Sequence, residues 1–180
     1  MVTIRQKEPR DLPACASLLR DVHAADRYPL HLPDDPMSFV EVHDALGAWV
    51  ALDDGALVGH VCLRPEANPK MMAVASEATG LPYEGLAVVA RLFVSPSARR
   101  RGVGVGLLRH AASEAWALGR QPVLDVVLHS ASPAVALYER EGWRMVGTAQ
   151  LTFRSGETVD EAVYVGPPER GERGAPKDAP

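Results

Sequence analysis

The sequence predicts one mixed α/β domain: a strand-rich sheet with helices on both faces. Three observations predict it. Apolar periodicity along the chain gives the order β-α-α-β-β-β-α-β-α-β-β. Strands outnumber helices in that order, and two strand–helix units stand in its second half, which calls for layers on both sides of a sheet. The third is composition: 180 residues, 47% hydrophobic and 23% charged, are an ordinary globular balance. A chain of this size buries about 70% of its unfolded surface and needs no disulfide or metal staple.

Each element has its local reason. Val2–Lys7 alternates apolar and polar residues and reads as a strand. Asp11, with Pro13 two residues on, marks a helix start, a capping carboxylate ahead of a first-turn proline. Leu12, Cys15, Leu18, Leu19 and Val22 then recur at helical spacing to about Ala25. Three prolines between Arg27 and Pro36 force an extended loop, and a short helix follows from Pro36 to about Leu46. Ala48–Asp53 and Ala56–Leu63 flank Asp54-Gly55, a hairpin signal. Glu66–Gly85 reads as a long insertion with one helical turn at Met71–Ala78. Leu86–Val94 is a buried central strand ended by Ser95-Pro96. Arg101 to Leu118 is helical and stopped by Gly119. Val123–Leu128 is a second buried strand, Ser132-Pro133 opens a helix through Arg140, and Trp143–Phe153 with Thr158–Val165 forms a closing antiparallel pair.

Residues 1–166 therefore form the domain. The remainder, 167–180, carries four prolines and two glycines and nothing apolar larger than alanine outside them. It cannot repay the entropy of ordering, and disorder is expected there. A net charge of −4 argues against a general nucleic-acid or anionic-membrane binder. Cys15 and Cys62 have no metal-type spacing and read as reduced core residues, so no metal is expected. The polar start of the chain and the absence of a bilayer-length apolar run complete the expectation of a cytoplasmic protein.

The chemistry-bearing segment is Arg99-Arg100-Arg101-Gly102-Val103-Gly104-Val105-Gly106, between a buried strand and a helix. Glycines at a helix N-terminus leave first-turn N–H groups open, and the helix dipole adds positive potential, a setting suited to phosphate. A dinucleotide fingerprint starting at Gly102 needs glycine where Leu107 stands, and a P-loop needs a lysine that is missing. What fits is [RQ]-x-x-G-x-[GA] from Arg101 with Gly104 and Gly106. Upstream stands Leu92-Phe93-Val94-Ser95-Pro96, and downstream Ala134-Val135-Ala136-Leu137-Tyr138-Glu139-Arg140-Glu141-Gly142-Trp143.

Together these blocks resemble the GCN5-related N-acetyltransferase (GNAT) family. The resemblance implies acetyl-CoA as donor and a mixed, mostly antiparallel sheet of six or seven strands whose central strands splay apart. It implies that backbone amides of Arg101, Gly102, Val103, Gly104, Val105 and Gly106 hold the pyrophosphate, with Arg99 or Arg100 near the nucleotide phosphates. It places the pantetheine arm along Leu92, Phe93 and Val94, with the Val94 amide toward the thioester carbonyl. Tyr138 matches the tyrosine that protonates the leaving thiolate. Two departures stand out. Ala131, flanked by Ser130 and Ser132, replaces a common asparagine. No carboxylate occupies the cleft-facing positions Val88, Ala90 or Arg91 of the central strand, where relatives often keep a base. Glu84 is the expected substitute, with His60 and His129 as alternatives. Tyr28, His31 and Tyr83, on the loops where relatives build the acceptor pocket, are the expected substrate contacts. The expected activity is acetyl transfer to a primary amine, small molecule or peptide, in a ternary complex. The alternative is a coenzyme-binding sensor without efficient catalysis, motivated by the missing strand carboxylate. A homodimer through the final strand pair is a further expectation.

Overall fold

The computed structural model describes residues 1–128 and 133–169. The elements are β1 (Val2–Gln6), α1 (Leu12–Asp26), α2 (Pro36–Val40), β2 (Gly47–Asp53), β3 (Ala56–Arg64), α3 (Pro69–Thr79), β4 (Leu86–Val94), α4 (Val103–Ala117), β5 (Gln121–Val127), α5 (Pro133–Arg140), β6 (Arg144–Thr152) and β7 (Thr158–Val165). They build one seven-stranded sheet in the order β1-β2-β3-β4-β5-β7-β6. Among the described residues, only the β4–β5 pair is parallel. His129, Ala131, Ser130, Ser132 and most of the expected tail lie outside the described residues.

Helices cover both faces. α4 and α5 pack Leu107, Leu108, Ala111 and Tyr138 onto one face, against Val61, Leu63, Val89 and Tyr164. On the other face, α1 and α2 bury Cys15, Leu19 and Val40 against Val50 and Phe93. α3 shares that face, farther along the sheet, with Met71, Met72 and Ala75 on Leu86, Val88, Val123 and Val163. Both cysteines are free and buried.

Three local expectations are corrected. α2 stops at Val40, not Leu46, because the chain turns extended at Glu41. The Glu66–Gly85 insertion holds a full helix, α3. The Asn68 side chain caps it by accepting the Lys70 N–H at 3.1 Å, and Gly80 ends it at φ 70°. Asp11 does not cap α1 with its side chain. That carboxylate instead accepts two bonds from Arg5, at 2.6 and 2.8 Å, and one from the Glu8 N–H at 2.8 Å. A guanidinium offers a paired, charged contact that a lone amide cannot match.

Two irregularities at the centre of the sheet position the site. β4 pairs β5 only over Leu86–Val88 with Gln121–Val123, and beyond Val88 the two strands part. On its other edge β4 is bulged: His60 faces Phe93 while Cys62 faces Ala90, so Arg91 and Leu92 together oppose Val61. Arg91 takes the left-handed conformation, φ 54°. A bulge bends a strand, and this one lies in the stretch where β4 leaves β5.

Candidate active site

The phosphate-type turn forms as the glycines require. Gly102 precedes α4 at φ 79°, and no side chain caps the helix there. The first helical bond, Gly106 N–H to Gly102 C=O at 2.9 Å, leaves the amides of Val103, Gly104 and Val105 without an intrahelical partner. A Cβ built on Gly104 would meet Leu137 and Val94 at 3.7 Å, ordinary contact. Packing does not demand glycine there; an open approach to the amides does.

Arginine side chains at this turn are more engaged than expected. Arg99 forms a paired contact with Asp26 at the end of α1, one bond 2.9 Å long. Arg101 meets Asp53 at 2.6 Å, so its side chain, still half exposed, is tied to β2. Both carboxylates belong to elements that converge on the turn. Among the described residues, no carboxylate pairs with Arg100.

The gap between β4 and β5 offers backbone. The Ser95 N–H bonds Val58 C=O on β3 at 2.8 Å. Residues alternate edges along an antiparallel strand, so Val94 turns its N–H and C=O the other way, toward β5, where no described strand pairs with it. Phe93 has the opposite parity. Its backbone faces β3, and its buried ring stacks on His60 with centroids 5.1 Å apart. Phe93 therefore supports the cleft and does not present an amide to it. These open amides and this free strand edge fit a phosphate-bearing thioester with an amide-containing arm.

Side-chain chemistry flanks the same gap from both faces of the sheet. Tyr138 of α5, 8% exposed, packs against Trp143 and against Tyr164 of β7. Burial raises its phenol well above the usual tyrosine range, and the Asp125 carboxylate raises it further. Asp125 stands on β5 two residues beyond the last β4–β5 pair; extended registry would set it opposite Ala90. Alternation puts it on the α3 side of the sheet with Val123. There it hydrogen-bonds Glu161 of β7, one ladder step away diagonally. Glu161 is 2% exposed. Burial first, and the Asp125 charge second, raise its carboxyl to about 7, while a bond from the Asn68 amide at 3.1 Å works the other way. Asp125 is also raised, by burial, and the two titrate as a pair.

Tyr28 completes the cluster. Its ring sits edge-on to Phe39 at 6.4 Å and tilted on Phe93 at 6.3 Å. Burial raises its phenol strongly; Tyr138 and Asp125 add to this and Arg91 opposes it. His31, farther along the same loop, reaches the β6–β7 turn, with Nε2 2.7 Å from Glu157 Oε2 and its ring 4.7 Å from Phe153.

The structure does not bring Glu84 or Tyr83 to this place. Both are exposed, Tyr83 by 43%, in a turn just before β4, at the end where β4 and β5 are still paired. At about 3.3 Å per residue, nearly 30 Å of strand separates them from Val94. His60 is fully buried; its Nδ1–H donates to Arg91 C=O at 3.0 Å, and burial lowers its pKa to about 3. It pins the bulge as a neutral ring. Sequence reasoning missed the carboxylates Asp125 and Glu161; Asp125 had a signal, as an acid inside the apolar run Val123–Val127, whereas Glu161 follows another acid, Asp160. Among the described residues, no group of three or more His, Cys, Asp or Glu could hold a metal. No described helix is long and apolar enough to cross a membrane.

An open-amide turn ahead of α4, a bulged strand and a parting of β4 from β5 decide the comparison with known proteins. The sequence model of the acetyltransferase (GNAT) family matches residues 13–143. The chain belongs to the GNAT family. Solved GNAT structures share its architecture. The ribosomal-protein-S18-alanine N-acetyltransferase of Escherichia coli is 22% identical, with 93% of this chain and 94% of that one covered at TM-score 0.65. NAA60 of Arabidopsis thaliana in complex with acetyl-CoA is 21% identical, with 92% and 97% covered at 0.68. An N-acetyltransferase of Staphylococcus aureus Mu50 is 19% identical, with 92% and 97% covered at 0.67. No curated protein sequence matches the chain at a significant level. Membership supports acyltransferase activity in general.

Proposed function

We propose that this GNAT protein is an N-acetyltransferase that moves an acetyl group from acetyl-CoA to a primary amine by direct attack in a ternary complex. The observation that carries the reading is the convergence of Tyr138 and the Asp125–Glu161 pair on one strand gap beside an open-amide turn. When bound, acetyl-CoA supplies the activated acyl group. Everything else falls to the chain.

The amides of Val103, Gly104 and Val105, with the α4 dipole behind them, hold the diphosphate. The Val94 edge pairs with the pantetheine arm, and its N–H faces the thioester oxygen, where negative charge develops. The carboxylate pair takes the proton that the attacking nitrogen must lose. A group near 7 suits this work, because it is partly ionised at neutral pH and still basic enough to accept. The C–N bond forms, the C–S bond breaks, and the Tyr138 phenol gives its proton to the departing thiolate. A phenol held neutral by burial is still loaded at the near-neutral pH where the carboxylate pair ionises. Tyr28 shapes the acceptor side.

A sensor without catalysis loses its motive here. The carboxylate absent from β4 is replaced across the gap by one on β5 and one on β7. The test is thiol release from acetyl-CoA across a broad panel of amines and peptides. Wild type turns over with at least one amine, and kcat/KM rises through an apparent pKa near 7. Glu161→Gln moves that limb at least one unit lower by freeing Asp125 of a charged neighbour. Tight acetyl-CoA binding with no transfer to any amine defeats the reading.

A further inference from the structure

We propose that the acceptor is a zwitterion, an amine carrying a carboxylate or similar anion a few bonds away, and that Arg91 binds the anion. The inference rests on the transferase reading of the site and names its substrate class.

Arg91 occupies the bulge of β4, at the mouth of the β4–β5 gap, in a backbone conformation that non-glycine residues seldom take. Its guanidinium lies over the Phe39 ring, 4.5 Å from the centroid, and Nη1 donates to Phe39 C=O. A guanidinium has five N–H donors in a planar fork, so this contact leaves a face for an anion. Burial lowers its pKa, as expected for a cation drawn partly out of water. Among the described residues, no carboxylate pairs with it. Nearby Arg64 is met by Asp44 at 3.7 Å, and Lys7 gives its ammonium to Val40 C=O at 2.6 Å. Arg91 is thus a partly desolvated cation with donors to spare, a poor arrangement for stability and a good one for binding an anion.

The opposite wall carries the opposite sign. Asp125 and Glu161 stand on β5 and β7, and Tyr28, whose ring packs on Phe93 and on the same Phe39 that Arg91 covers, senses the negative charge of Asp125 and the positive charge of Arg91 together. An ammonium seated at the carboxylate pair while its anion meets Arg91 leaves neither wall unpaired. A simple monoamine would satisfy one wall and desolvate the other.

The test is calorimetric titration of the CoA-saturated protein, which cannot turn over. Probes are ω-amino carboxylates from glycine to 6-aminohexanoate, L-glutamate, L-methionine and L-tyrosine, each against its counterpart lacking the carboxylate, and a tetra-alanine amide. At least one zwitterion is expected to bind tenfold or more tightly than its counterpart. Arg91→Gln should bring that ratio within threefold, and Arg91→Lys should retain part of it, with native circular dichroism in both. The inference is overturned if no zwitterion outbinds its counterpart, or if the peptide amide binds tighter than every amino acid. Loss of the ratio only in variants that have lost native circular dichroism also counts against Arg91. A protein that binds zwitterions but releases no thiol from acetyl-CoA refutes the transferase reading alone.

Discussion

Glu161→Gln should make the protein more stable, and only on the alkaline side. Glu161 is 2% exposed, shares a hydrogen bond with Asp125, and has its carboxyl raised from 4.5 to about 7. Between those values the native state keeps a proton that the unfolded chain has released. Native protons outnumber unfolded ones there, so wild-type stability falls as pH rises through the window. About 2.5 pK units at 1.36 kcal/mol each set a ceiling of roughly 3.4 kcal/mol. Because Asp125 shares the titration, about 2–3 kcal/mol is the expected loss between pH 4.5 and pH 8. Glutamine has the shape of the protonated acid: its amide donates to Asp125 and its oxygen still accepts from Asn68. The variant should therefore match wild type near pH 4.5 and exceed it by about 2–3 kcal/mol at pH 8, a Tm difference of roughly 5–10 °C for a domain of this size. Urea unfolding at half-unit pH steps measures it. Parallel stability curves would refute a raised Glu161, and with it the poised carboxylate pair.

Other perturbations separate the remaining parts of the site. Tyr138→Phe should lower kcat by about 10²–10⁴ while acetyl-CoA affinity stays within twofold, read by thiol release and calorimetry. Gly104→Asp should leave Tm within a few degrees, because a first-turn carboxylate suits the helix dipole and the Cβ has room, yet weaken acetyl-CoA at least tenfold by setting a charge against the diphosphate. Asp11→Asn tests the frame. Arg5 first, and the Glu8 N–H with it, hold the Asp11 carboxyl at about 2, down from 3.8. That stability is present above pH 4 and lost as pH falls through 2, so the variant should lose about 2 kcal/mol at pH 7 and little at pH 2.

Local signals made the sheet legible. Asp54-Gly55 set the β2–β3 hairpin, and the apolar run Leu86–Val94 set the central strand. The turn at Arg101–Gly106 was legible for the same reason: its requirement lies in the backbone of six consecutive residues. Asp125 and Glu161 were not. They are 36 positions apart, on strands made neighbours only by a crossover through α5 and β6, and the acid inside the apolar run of β5 does not name its partner on β7. Glu84 misled for the complementary reason. Nearness in sequence to β4 is not nearness to the gap when the strand itself runs nearly 30 Å from the paired end to the open one. The partners of Arg99 and Arg101 were equally hidden, since Asp26 and Asp53 reach the turn only after α1 and β2 have packed.

The electrostatics of the gap separate what folds the chain from what works in it. A buried acid pair with one carboxyl near 7 weakens the native state at neutral pH, and a partly buried arginine without a carboxylate does the same. Apolar residues of similar volume at Glu161 and Arg91 would pack against Ala149 and Phe39 without that penalty. Contrast Asp11 and Arg5, where pairing lowers one pKa and raises the other, and the contact strengthens the frame. In one domain, charges that meet a partner tie β1 to α1, while charges left short of one line the split between β4 and β5. A ligand carrying both signs would supply the missing partners, so its binding should recover the stability that Asp125, Glu161 and Arg91 withhold from the unliganded fold.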